Sequence, residues 1–170
     1  LGYDWGRNEL WNELRDKFEE VERLNKYLSI VTGAGPGGGP HVRAFSLYGE
    51  ARKDPNKLFA YDESFRGGVN VAVGDINGDG VDEIFTAPKA GGGPQVRIFK
   101  ADGTPIGYIW PFHSDSRTGI NIAAGDVDGD GKDEIAVAQA QDGHAWVKVY
   151  RNNKEGEILG EWNAFNQVEC

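Results

Sequence analysis

Residues 74–84 read GDINGDGVDEI, and residues 125–135 read GDVDGDGKDEI, the same pattern displaced by 51 residues from Gly74 to Gly125. Loops this acidic repel themselves unless something compensates the charge. Together they hold nine carboxylates: Asp75, Asp79, Asp82, Glu83, Asp126, Asp128, Asp130, Asp133 and Glu134. The formal net charge of the 170-residue chain is −9, so much of its acidity is concentrated in these two places. Divalent cations would neutralise it where it sits, and a net negative chain gives no electrostatic footprint for nucleic acid.

Within the first loop, oxygen-bearing side chains fall at positions one, three and five as Asp75, Asn77 and Asp79, and Gly80 follows. Side chains at alternate positions of a tightly wound loop converge on one point, glycine permits the turn, and Glu83 returns a carboxylate. The second loop offers Asp126, Asp128, Asp130, Gly131 and Glu134 in the same places. A hard cation taking six to eight oxygens fits this donor set, with the carbonyls of Val81 and Lys132 as backbone ligands. Two calcium sites are expected, with Asp82 and Asp133 as alternative closing ligands. Magnesium is disfavoured, because its small octahedral shell rarely uses an all-protein cage. The helix-flanked calcium hand is excluded, since its twelfth position, a carboxylate there, is Thr86 or Val137 here. Acidic Asx-type turns need no metal, but two copies with the same four ligand positions favour a cation.

Working outward, the segment from Ser29, SIVTGAGPGGGPHVRAFS, aligns with EIFTAPKAGGGPQVRIFK from Glu83 and EIAVAQAQDGHAWVKVYR from Glu134. Val42, Val96 and Val147 become equivalent, as do Arg43, Arg97 and Lys148, and Phe45, Phe99 and Tyr150. Period-two alternation places the valines and aromatics on one side and the cations on the other. FAYDESFRGGVNVAVGD from Phe59 likewise repeats as WPFHSDSRTGINIAAGD from Trp110. Each unit reads as four strands, with the acidic loop between the first and second and the fourth running from Tyr108 to Phe112 in the second unit. A four-stranded repeat of about 50 residues is the length of a propeller blade.

The expected fold is all-β: antiparallel, propeller-like blades at 29–66, 67–117 and 118–166, within a repeat domain spanning 29–170. The first unit lacks its first strand and acidic loop, so the strands number three, four and four, or about 2.75 blades. One amphipathic α-helix precedes them. Residues 8–28 carry Leu10, Leu14, Phe18, Val21, Leu24 and Leu28 at three- and four-residue steps, with Asn8 as N-cap. Residues 1–28 are expected to act as a cap packed on the repeats or as an assembly element.

GDINGDGVDEIFTAP, GDVDGDGKDEIAVAQ and the incomplete TGAGPGGGPHVRAF resemble the FG-GAP repeat, the blade unit of integrin alpha-subunit propellers and of many bacterial surface and secreted proteins. The resemblance covers about residues 29–166. It implies calcium held by Asp75, Asn77, Asp79 and Glu83, and by Asp126, Asp128, Asp130 and Glu134. It also implies an extracellular or cell-surface setting, where millimolar calcium keeps such loops loaded. Ordinary propellers close with four to eight blades, so this chain is expected to assemble, through self-association or with other surface proteins.

The remaining features point away from catalysis. The glycine runs at 35–40 and 90–94 lead into strands and lack a following Lys-Ser/Thr, so they are turns and not phosphate loops. His41, His113 and His144 are scattered, and His113 with Asp115 and Arg117 is the sole weak constellation. No enzyme activity is expected. Tyr61, Trp110 and Phe112, with Phe65 and Trp162, supply aromatic surface. A carbohydrate-binding, lectin-like module stacking glycans on Trp110, Phe112 and Tyr61 is therefore one alternative. A non-catalytic accessory domain of a secreted enzyme is another. No apolar run approaches the roughly 18 residues of a membrane span. The start at Leu1 and the absence of methionine suggest a processed product or a piece of a longer chain. Cys170, the lone cysteine, is expected to be a solvated thiol.

Overall fold

The computed structural model of the chain describes residues 9–19, 29–53, 55, 57–89, 91–141, 146–151 and 156–164. These residues contain a helix, α1, at 9–19. They also contain eleven strands: β1 (Ile30–Gly33), β2 (His41–Phe45), β3 (Leu58–Phe59), β4 (Val69–Gly74), β5 (Glu83–Pro88), β6 (Val96–Phe99), β7 (Pro105–Ile109), β8 (Ile120–Gly125), β9 (Glu134–Gln139), β10 (Trp146–Tyr150) and β11 (Ile158–Asn163). The strands form three antiparallel sheets in chain order, β1-β2-β3, β4-β5-β6-β7 and β8-β9-β10-β11. Each sheet is a propeller-like blade. The innermost strand β4 packs on β1 to one side and on β8 to the other, and three such blades leave an arc open.

Register places the acidic loops. β4 pairs with β5 from Val69↔Pro88 to Gly74↔Glu83, and β8 pairs with β9 from Ile120↔Gln139 to Gly125↔Glu134. Each loop is thus the hairpin connection between the two inner strands of a blade, with its glutamate at the foot of the second strand.

Every residue of β5 is buried, and its alternate side chains serve different cores. Ile84 joins Val42, Leu58, Ala60, Val69 and Phe99 between blades one and two. Phe85 and Ala87 point the other way, into the larger core with Val96, Ile98, Ile120, Ile135, Val137 and Tyr150 between blades two and three. The pattern propagates: Ile135 and Tyr150 face blade two as Ile84 and Phe99 face blade one. Backbone latches repeat as well. Gly37 N–H donates to Arg66 O at 2.8 Å, and its counterpart Gly91 N–H donates to Arg117 O at 2.9 Å. The glycine runs are therefore turns that fasten one blade to the entry loop of the next.

Three expectations are corrected. The equivalent aromatics do not share a face with the valines. Val42 and Phe45 are an odd number of residues apart, so alternation puts Phe45 on the side of Arg43, whose guanidinium carbon lies 5.3 Å from its ring centroid. Arg97 sits over Phe99 in the same way at 5.7 Å. The fourth strand of blade two is Pro105–Ile109, earlier than Tyr108 to Phe112. It is fixed by pairing Val96↔Ile109, and Pro111, lacking an N–H, lies beyond it. The described part of the helix stripe is not packed on the repeats: Leu10 is 56% exposed and Phe18 70% exposed. Asn8, Val21, Leu24, Leu28, His144 and Cys170 lie outside the described residues.

Blades one and two approach closely at Gly33, where a Cβ would lie 2.3 Å from Val69 O. Gly33→Ala is expected to lower unfolding free energy in urea by about 1–3 kcal/mol through overpacking. Gly35→Ala, which meets nothing within 4 Å, should change it far less.

Candidate metal centre

In the first loop, Asp75 folds the backbone around its own carboxylate. Oδ1 accepts N–H bonds from Gly78 at 2.7 Å, Asp79 at 3.2 Å and Asn77 at 3.3 Å, and Oδ2 accepts Gly80 N–H at 2.7 Å. Gly80 and Gly131 close their loops at φ 82 and 85 degrees, a region costly for a side chain. Asp79 Oδ1 accepts Val81 N–H at 2.9 Å. Glu83 is 4% exposed; its Oε2 accepts Ile76 N–H at 3.3 Å and its Oε1 accepts from Asn77 Nδ2 at 3.0 Å.

The second loop repeats this wiring. Asp126 accepts Gly129 N–H at 2.7 Å and Gly131 N–H at 3.0 Å, Asp128 accepts Asp130 N–H at 3.2 Å, and Asp130 accepts Lys132 N–H at 2.9 Å. Glu134, 1% exposed, accepts Val127 N–H at 3.1 Å. Carboxylate oxygens of Asp126, Asp128 and Asp130 all lie within 4.8 Å of one another. These three carboxylates could hold a divalent cation, and the buried Glu134 follows them in the chain at the foot of β9.

The electrostatics show the tension. Burial pushes the Glu83 carboxyl up, Ile76 N–H pulls it down, and the charges of Asp79, Asp75 and Asp82 push it up again, with a net rise. Burial raises Asp82 too, reinforced by Asp133 and Asp75. Asp75 moves the opposite way. Burial would raise it, but the four N–H donors outweigh that and hold it below the usual carboxylate range. Asp128 is held low chiefly by a hydrogen bond from the Arg151 guanidinium, with which it forms an ion pair. Arg151 was not visible as a partner of the loop, because it comes from the end of β10 rather than from the motif.

Asp82 and Asp133 occupy the eighth loop position, and the structure separates them. Asp133 Oδ2 accepts Asp75 N–H at 2.8 Å, so this oxygen reaches across to the first loop. Asp82 is exposed. Val81 and Lys132 lie on the loop surface, with Lys132 Cγ 3.3 Å from where a Gly78 Cβ would sit.

The aromatic candidates divide. Tyr61 is a packing residue: its hydroxyl lies 2.9 Å from both Thr86 O and Gln95 O, and burial pushes its ionisation up. Phe112 packs against the larger core, with Lys148 Nζ 5.8 Å from its ring centroid. Trp110 is 51% exposed, following Ile106 and Tyr108 on the same open side of β7. His113 and Asp115 form an exposed pair at 3.6 Å. Arg117 Nη1 donates to Ser114 O and Ser116 O at 2.7 Å, bracing its own turn.

Among solved structures, the chain is similar to the rhamnogalacturonan lyase PL11 of Bacillus licheniformis, with 20% identity and a TM-score of 0.44. The likeness covers 72% of this chain and 31% of the lyase chain. No curated protein matches the chain in sequence. Residues 75–137, from the first candidate ligand of one loop to the strand that follows the other, match the FG-GAP-like repeat.

Proposed function

We propose that this chain is a calcium-binding, non-catalytic repeat module with a structural or adhesive role, working outside the cell as part of a surface or filamentous assembly. The observation that carries this reading is the cluster of Asp126, Asp128 and Asp130 carboxylates, in a loop whose sequence pattern recurs at Asp75, Asn77 and Asp79, each loop leading to a buried glutamate, Glu134 in one and Glu83 in the other. Asp126, Asp128, Asp130 and Glu134, with the Lys132 carbonyl, would hold one ion. Asp75, Asn77, Asp79 and Glu83, with the Val81 carbonyl, would hold the other. Calcium supplies the charge that these hairpin turns lack, stiffening the connection between the inner strands of each blade. Extracellular calcium levels favour a site of this kind. The exposed Trp146, Trp162 and Ile158 of blade three offer apolar surface for association with further copies or other surface proteins. No helix among the described residues is long and apolar enough to cross a membrane.

A second reading rests on Tyr108 on β7 and Trp110 just beyond it, whose exposed rings offer aromatic surface suited to stacking on a sugar ring. A glycan array run with the unaltered chain and with Trp110→Ala separates the readings. Hits lost in Trp110→Ala favour sugar binding, and an empty array favours the structural role.

Calcium at 100 times its dissociation constant should stabilise the fold by ~2.7 kcal/mol per site. Chelator should therefore lower the melting temperature sharply, and a melting curve indifferent to calcium would sink the metal reading.

The pH response provides a further check. Without metal, the raised carboxyl of Glu83 keeps its proton in the folded state above its ordinary value of 4.5. The native state then binds more protons than the unfolded one, so stability falls as pH rises through that window. Glu83→Gln should flatten this part of the profile in chelator. With saturating calcium, which needs the ionised carboxylate, stability of the unaltered chain should instead rise across the same window. The lowered carboxyl of Asp75 acts below its ordinary 3.8, where stability is lost as pH falls.

A further inference from the structure

The two acidic loops touch. Asp75 N–H donates to Asp133 Oδ2 at 2.8 Å, and Asp133 N–H donates to the Asp75 carbonyl at 2.8 Å, so both backbone groups of Asp75 are held by one residue of the next blade. The approach requires Gly74 beside it, where a Cβ would lie 2.6 Å from Asp133 Oδ2 and 2.9 Å from Ala124 Cβ. Meanwhile the Asp75 side chain organises its own loop through four N–H bonds. Asp75 is thus fixed from two directions, by its own hairpin and by the neighbouring one.

We propose that Asp133 is a positioning residue that couples the two metal loops, so that calcium in either loop raises the affinity of the other. This rests on the calcium reading above. Asp133 lies between Lys132 and Glu134, the carbonyl and closing ligands proposed for the second ion. An ion that tightens residues 132–134 also fixes the carboxylate that receives Asp75 N–H. Asp75 is the first ligand of the other loop, and less disorder remains there to be removed on binding. The coupling is reciprocal, as equilibrium linkage requires. Asp133 therefore serves the first loop rather than closing the second, and Glu134, buried at the foot of β9, is left as the closing ligand.

Calorimetric calcium titration of the 170-residue chain tests this. The second loop is disabled by Asp126→Asn with Asp130→Asn, in the native background and again with Asp133→Ala. Disabling it should weaken calcium binding at the first loop about five- to tenfold in the native background and leave it unchanged with Asp133→Ala. Asp133→Asn, which keeps an acceptor oxygen, should retain most of the coupling. A large loss of the second loop's own affinity in Asp133→Asn would instead make Asp133 a direct ligand and overturn the assignment. An equal loss at the first loop in both backgrounds would overturn it as well.

Amide hydrogen exchange in metal-free buffer supplies a readout independent of calcium. Asp133→Ala should speed exchange at Asp75 by about tenfold or more while the amides of β5 and β6 keep their protection. Unchanged exchange at Asp75 would dispose of the clasp. Absence of calcium binding by the unaltered chain would overturn the coupling together with the metal reading, and the exchange experiment would still report whether Asp133 holds Asp75.

Discussion

A four-stranded sheet with apolar side chains on both faces cannot rest against water on either. That constraint organises this chain. In β5 the alternation of Ile84 against Phe85 and Ala87 sends side chains into two separate cores, so blade two is stable only between neighbours. Burial of this kind contributes roughly 25 cal/mol per Å² of apolar surface removed from water. The glycine latches and the Asn70 side chain, which donates to Ile120 O at 2.7 Å, then set the angle and spacing at which the blades meet.

Stacking identical units brings identical parts together, including those that repel. Because the hairpin between the inner strands recurs at the same place in blades two and three, the two acidic loops arrive side by side at one rim. Glu83 and Asp82 are pushed up first by burial and then by the neighbouring carboxylates. Backbone N–H groups absorb part of the charge, as they do at Asp75, and Arg151 absorbs part at Asp128. What remains is a concentration of negative oxygen atoms that a hard divalent ion is suited to complete.

Much of this was legible in the sequence, for a physical reason: repeats with a two-residue period and glycine-marked turns write strands, hairpins and loops directly into the order of residues. The three, four and four strands and the hairpin placement of both loops were readable on that basis. Contacts between repeats were not. Nothing in the spacing of Asp133 says that its carboxylate belongs to Asp75, 58 residues away, nor that Arg151 reaches Asp128. Tyr61 looked like available aromatic surface because its sequence neighbours do not show that Thr86 and Gln95 receive its hydroxyl. The face of Phe45 was misread by counting equivalent positions across repeats without counting parity within the strand. The helix stripe was readable as amphipathic, but what covers an apolar face is a tertiary property that periodicity does not carry.

Within each sheet the strands also follow chain order strictly, each pairing only with its sequence neighbours in that sheet. Such a topology keeps most strand pairings at short sequence separation, so the entropy lost in closing each hairpin is small and is recovered at once by the next strand. Contacts such as Asp75 with Asp133 span a whole blade and depend on two finished sheets. Because each sheet shares its cores with a neighbour, the acidic rim is complete only when two adjacent blades have docked.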